Sequence, residues 1–129
     1  MFTNITHDHL DYHGDVNAYI GAKKSLFDKL PATAFALTNA DARHGDTMVQ
    51  GTRARVVTYG THQVADHKAR IVENGLGGLQ LHLEGQDLYT RLIGEFNASN
   101  LTAVYAVARE LGWNAMDTLT HLSLSLIHI

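Results

Sequence analysis

Residues 15–38 read DVNAYIGAKKSLFDKLPATAFALT, and the fold follows from this stretch. Val16, Tyr19, Ile20, Leu26, Phe27 and Leu30 recur at helical spacing, and Asp15 after Gly14 supplies an N-cap. Pro31 ends the helix, because its ring clashes with the preceding turn and it has no N–H to donate. Residues 33–38 are then a short continuous apolar run, the pattern of a strand buried on both faces. Upstream, residues 2–6 form another short strand candidate. Strand, helix and strand at this spacing specify a crossover and therefore a parallel sheet, so the fold class is α/β.

Downstream, residues 41–52 suit a short helix, and residues 55–59, closed by Gly60, a third strand. The period then changes. Residues 69–72, 79–83 and 88–93 alternate partially between apolar and polar, with Gly75, Gly77, Gly78 and residues 85–87 as turn material, which predicts a small antiparallel β-meander. A second helix places Leu101, Val104, Tyr105, Ala108 and Leu111 on one face and uses Gly112 as its C-terminal cap. No repeat or flexible linker divides the chain, so residues 1–123 are expected to be one partial domain: a parallel sheet flanked by helices, plus the meander. Residues 124–129, LSLIHI, match what the transposase end of sequencing libraries encodes in one reading frame, and read as a non-native tail.

Composition narrows the partners. With 10 Lys and Arg against 13 Asp and Glu in 129 residues, the formal charge is -3 and there is no basic footprint for nucleic acid. The chain has no cysteine, which excludes disulfide and thiolate chemistry and fits a reducing compartment. No apolar run approaches the roughly 20 residues of a membrane span, and the first residues lack a signal peptide's pattern. The expectation is a cytoplasmic protein, away from membranes, that acts on small molecules.

Chemistry concentrates at three places. His7, His9 and His13 lie with Asp8, Asp11 and Asp15 directly after the first strand, where open parallel sheets place their ligand sites. A metal site and a solvated polar turn both fit, although the three histidines have no recognised zinc spacing. In the following helix the apolar positions cover an arc of about 120°, and Lys23 falls inside it while Lys24 falls outside. A lysine placed there snorkels to the rim, pairs with a carboxylate, or loses its charge through a lowered pKa or covalent modification. Asn97 and Asn100 flank the start of the last helix, where they serve either as caps or as amides reading the donor and acceptor edge of a purine. Residues 21–25, GAKKS, only superficially match a phosphate-binding loop: they lack the paired glycines and lie within a helix.

Taken in order, FTNITHDHLDYHG at residues 2–14, YIGAK at 19–23 and LIGEFNASN at 92–100 closely resemble the Mur ligase family. The form at residues 8–14, DHLDYHG, is most similar to members that extend UDP-N-acetylmuramoyl-L-alanyl-D-glutamate. The resemblance implies the central ATP-binding domain of an ATP-dependent amide ligase. Such an enzyme activates a carboxylate as an acyl phosphate and joins it to a diamino acid, lysine or 2,6-diaminopimelate, in peptidoglycan synthesis. It implies ATP and magnesium as cofactors, His9 as a magnesium ligand, Lys23 as a carbamylated catalytic residue, Asn97 and Asn100 beside the adenine ring, and a monomer. Two departures follow from the same comparison: the phosphate-binding loop belongs before Met1, and the domain that selects the amino acid belongs after Leu122. On that reading the chain alone is inactive. Ala42 also stands where many relatives carry a second aspartate after Asn39-Ala40-Asp41. Two other readings stand beside this one. The first is a superfamily ligase of the cyanophycin or folylpolyglutamate synthetase type, against which the Tyr12-His13-Gly14 ending speaks. The second is a small metal-binding module using His7, His9 and His13.

Overall fold

A computed structural model describes Met1 and residues 15–127, the side chains of residues 15–17, 19 and 123–127 excepted. The strand expected at residues 2–6 and the candidates His7, His9 and His13 lie outside the described residues. The elements are α1 (Asp15–Asp28), β1 (Phe35–Asn39), α2 (Gly45–Val49), β2 (Arg55–Gly60), β3 (His67–Gly75), β4 (Gly78–Leu83), β5 (Gln86–Thr90), α3 (Glu95–Glu110) and α4 (Ala115–Ile127). The strands follow the order β1-β2-β3-β4-β5 in a mixed sheet, and the chain divides into two compact units, Met1–Thr58 and Tyr59–Ile129.

In the first unit α1 packs through Phe27 on Ala36 of β1, Met48 of α2 and Ala54, with Ile20, Leu30, Ala34, Ala42 and Val49 around them. The face is narrower than the sequence pattern suggests. Leu26, at the edge of the expected arc and about 100° from Phe27, is 68% exposed. The helix closes on a tightened turn, with Leu30 N–H donating to Phe27 C=O at 3.2 Å, and the Thr52 hydroxyl donates to the same carbonyl at 2.8 Å. Carbonyls left over at a helix end need such partners. β1 is buried from Ala36 to Asn39, as an unbroken apolar run requires, and the Thr38 hydroxyl donates to Gly45 C=O at 2.9 Å. Gly45 has no alternative there: a Cβ would lie 2.3 Å from the Asn39 carbonyl oxygen.

In the second unit β3 starts parallel to β2, pairing Tyr59 with His67 and Gly60 with Lys68, and then runs antiparallel to β4. The meander is therefore present as expected, although β5 ends at Thr90 rather than at residue 93. Two-residue loops make both hairpins. The second contains Glu84 at φ 46° and Gly85 at φ 83°, the pair of positive φ values that a type I′ turn demands. The core joins Ala69, Leu79, Leu81, Leu83 and Leu88 of the sheet to Ala98, Leu101 and Tyr105 of α3 and Leu119 of α4.

Two expectations for this unit change. Val104 and Leu111, assigned to the inward face of α3, are exposed, because the buried residues, Ala98, Leu101, Thr102, Ala103, Tyr105 and Ala106, occupy a different part of the helix circumference. Gly112 does follow the helix at φ 101°. The second change is α4, an amphipathic element absent from the sequence reading. It starts on Asn114, whose side-chain carbonyl accepts from Asp117 N–H at 2.7 Å while its amide donates to the Asp117 carboxylate at 2.9 Å. The helix runs on through residues 124–127, the start of the stretch read as a tail. Among the described residues no helix is long and apolar enough to cross a membrane.

Candidate functional site

Lys23 lies in the middle of α1, half-buried, with Ile20 and Phe27 as its neighbours one turn away on the packed side of the helix. Lys24 differs from expectation. It too is half-buried, donates to Asp28 at 2.9 Å and also bonds the Gln50 carbonyl, so it ties α1 to the end of α2. Lys24 is thus held by a carboxylate one turn along and by a backbone acceptor.

Beyond the C-terminal end of β1 the chain makes a tight polar turn. Asn39, 6% exposed, accepts the Asp41 N–H on its side-chain oxygen at 2.9 Å, a local bond that replaces strand pairing as the backbone leaves the sheet. Carboxyl ends of strands are where open α/β sheets meet ligands, and this turn brings Asp41 there.

Asn97 and Asn100 lie in the second unit, within the first turns of α3 and three residues apart, hence on one side of the helix. Neither is the N-cap. That position belongs to Gly94, at φ 97°, whose own N–H donates to the Asn74 side chain at 3.0 Å. The Asn97 amide donates to Ile93 C=O at 2.7 Å, which commits one of its two N–H groups and leaves its oxygen for another donor. Asn100 makes no side-chain hydrogen bond among the described residues. Both side chains are half-buried, next to the positive end of the helix dipole.

A cluster absent from the sequence reading is built around Glu84. Its carboxylate accepts from the Tyr105 hydroxyl at 2.6 Å and from Arg109 Nε at 2.9 Å, and lies 2.8 Å from His67 Nδ1. The other ring nitrogen of His67 is 3.5 Å from Glu110. Burial pushes the Glu84 carboxyl up, but the bonds from Tyr105, Arg109 and His67 together outweigh it and hold the group below its ordinary value. Tyr105 is raised, by burial first and then by its bond to Glu84, so the phenol stays protonated. A non-glycine residue at positive φ is strained, and here three bonds hold it in place. The signal was hard to see because these residues are far apart in sequence and only the hairpin turn and α3 bring them together. Among the described residues no group of three His, Asp or Glu side chains is arranged to hold a metal ion.

The sequence candidates are thus distributed: Lys23 in the first unit, Asn97 and Asn100 together in the second, and His9 outside the described residues. The model of the Mur ligase middle domain matches residues 1–108. The UDP-N-acetylmuramoyl-L-alanyl-D-glutamate--2,6-diaminopimelate ligase of Phocaeicola vulgatus is 47% identical over 123 residues, 95% of this chain and 25% of the relative. The ligase of the same name from Bacteroides thetaiotaomicron is 45% identical over 128 residues, 99% of this chain and 26% of the relative. The chain spans about a quarter of the length of these curated relatives. A solved structure of a UDP-N-acetylmuramoyl-L-alanyl-D-glutamate--2,6-diaminopimelate ligase superposes with a TM-score of 0.80 at 28% identity, over 94% of this chain and 26% of that one. MurF from Acinetobacter baumannii, at 21% identity and a TM-score of 0.79 over 94% of this chain and 27% of that one, shares the fold. With a family model matched along most of its length and the same arrangement in solved ligases, the chain belongs to the Mur ligase middle-domain family.

Proposed function

We propose that this chain is the part of an ATP-dependent ligase that carries the carbamate lysine and the adenine-side amides. The ligase adds 2,6-diaminopimelate or lysine to UDP-N-acetylmuramoyl-L-alanyl-D-glutamate in the cytoplasm. The observation that carries this reading is 47% identity along 95% of the chain to a ligase named for that substrate and diaminopimelate. The amide pair supports it: Asn97 and Asn100 share one side of α3, and Asn100, with no side-chain hydrogen bond among the described residues, can offer donors and an acceptor to a purine edge. ATP supplies the phosphoryl group that activates the carboxylate, and the protein's contribution is positioning and charge stabilisation.

Lys23 is assigned the carbamate. The ammonium first gives a proton to solvent; the neutral amine then attacks carbon dioxide, an N–C bond forms as one C=O π pair moves onto oxygen, and a second proton leaves the nitrogen, so a cation becomes an anionic oxygen pair. That product suits a metal preferring oxygen ligands, and it resolves the placement of a lysine between Ile20 and Phe27. Magnesium and His9 belong to the same reading through the family motif at residues 7–14. The domain reading also stands as a proposal: residues 1–123 as part of the middle domain, residues 124–129 as a non-native tail, a phosphate-binding loop and an amino-acid-selecting domain supplied by other polypeptide, and a monomeric ligase.

The test is a chimera in which this chain replaces the matching quarter of the Phocaeicola vulgatus ligase. Diaminopimelate-dependent ADP release is expected, and it should disappear on Lys23→Ala without rescue by bicarbonate. A folded chimera that retains full activity as Lys23→Ala would remove the carbamate assignment.

A further inference from the structure

An irregularity in β3 determines which of its side chains meets the start of α3. Ile71 pairs with Leu81 and Asn74 with Leu79, two leucines buried on the α3 side of the sheet, whereas Glu73 pairs with Gln80 on the outer side. Strict alternation from Ile71 would bring Glu73 to the α3 side and turn Asn74 away. The register shift between Ile71 and Glu73 inserts one extra residue, Val72, and reverses that order, as β-bulges do when they re-aim a side chain. The re-aimed oxygen has a partner: the Asn74 side-chain carbonyl accepts from Gly94 N–H at 3.0 Å. Asn74 is itself exposed, so burial gives no reason for its placement. The same hairpin end lies close against the chain that enters this turn, since a side chain at Gly78 would collide with the Thr90 carbonyl.

Gly94 N–H and Ile93 C=O belong to one peptide unit, which is planar and, being trans, points them in opposite directions. Both ends are held: the N–H by Asn74 at 3.0 Å and the C=O by the Asn97 side-chain amide at 2.7 Å. Residues 91–94 belong to no strand or helix, and Gly94 has φ 97° and ψ 147°, a conformation essentially restricted to glycine. The rotation of this peptide is therefore set by its two side-chain partners. We infer that Asn74 is a positioning residue for the nucleotide: by fixing the 93–94 peptide it sets the direction of the Asn97 amide, and with it the direction of the Asn97 side-chain oxygen. Hydrogen bonds at the two ends of one peptide polarise each other, so losing one weakens the other. This role rests on the reading that Asn97 and Asn100 face the adenine ring, and Asn74 acts only through the peptide.

In the Phocaeicola vulgatus chimera, Asn74→Ala should raise the KM for ATP about threefold to fivefold while kcat and the KM for diaminopimelate stay within about 1.5-fold, the pattern of lost binding rather than lost chemistry. Asn74→Asp should restore the original KM, because the bond uses only an accepting oxygen. Adding Asn74→Ala to Asn97→Ala should raise the KM by less than about 1.5-fold more, since Asn74 acts through Asn97. An Asn74→Ala chimera with unchanged KM for ATP, where Asn97→Ala raises it, would overturn the inference. So would effects that multiply in the double variant, or a failure of Asn74→Asp to restore the KM. Hydrogen exchange reads the bond without nucleotide: in Asn74→Ala the peptide spanning residues 91–96 should exchange at least about fivefold faster at one amide, and unchanged exchange would also count against the role. An unchanged KM in Asn97→Ala is a different failure. It would remove the adenine assignment and the nucleotide role of Asn74 with it, while the exchange rates still show whether Asn74 braces the turn.

Discussion

Replacing Glu84 by asparagine separates two effects that meet at that residue. Asparagine tolerates the left-handed conformation better, so the turn alone should gain about 0.5 kcal/mol. The side chain is too short to keep the bonds to Tyr105, His67 and Arg109. The first two are part-buried and cost about 1–1.5 kcal/mol each when lost, and the Arg109 bond, a third exposed, about 0.5 kcal/mol. The balance is a loss of about 2.5 kcal/mol, or roughly 10 °C in the unfolding midpoint of a domain this size. Circular dichroism of thermal and urea unfolding reads it. A double-mutant cycle of Glu84→Gln with Tyr105→Phe should give a coupling of about 1 kcal/mol. The pH dependence supplies the sign. Glu84 is held below its ordinary value of 4.5 in the folded chain, so its contribution is present above that pH and is lost as pH falls through the folded value. Wild type should therefore lose stability below pH 4.5 more steeply than Glu84→Gln. Glu84→Asn as stable as wild type, with a coupling under about 0.3 kcal/mol, would refute the view that Glu84 holds the hairpin to the helix.

Other substitutions test separate features. Gly45→Ala forces a Cβ to 2.3 Å from the Asn39 carbonyl oxygen, and a loss of about 2–3 kcal/mol is expected in urea unfolding. Lys24→Ala removes the pair with Asp28 and the bond to Gln50 and should cost about 0.5–1 kcal/mol, while leaving chimera turnover within about twofold. Asn100→Ala should leave the unfolding midpoint unchanged and weaken ATP binding to the chimera about fivefold. Asn97→Ala should weaken binding and also lower stability by about 0.5–1 kcal/mol, because the bond to Ile93 is lost. Stability should also fall above about pH 10. The Tyr105 phenol is raised in the folded state, so its contribution is complete below the unfolded value and lost as pH rises towards the folded one; the same titration of Tyr105→Phe should be flatter.

What the sequence determined by itself was whatever depends on neighbours along the chain. The period of residues 15–30 and the stop at Pro31 set α1, the unbroken run at 33–38 set β1, and the glycines between alternating runs set the meander, because period, φ restriction and turn chemistry are local properties. The motifs at residues 2–14, 19–23 and 92–100, taken in order, likewise pointed to the family before any coordinate, since each motif is a local string. Only the structure, by starting α3 at Glu95, put Asn97 and Asn100 inside the helix and on one side of it. Tertiary structure decided which of several apolar residues are covered. Leu26, Val104 and Leu111 satisfy the helical period yet are exposed, because a helix with apolar residues over a wide arc does not itself choose which part of the arc meets the sheet. It also decided the partners of Lys24 and Glu84. Lys24 reaches Gln50, 26 residues away, and Glu84 reaches Tyr105 and Arg109 only after the hairpin has turned and α3 has packed over β3. Contacts between residues distant in sequence are made by the packing of elements, and local propensity carries no record of them.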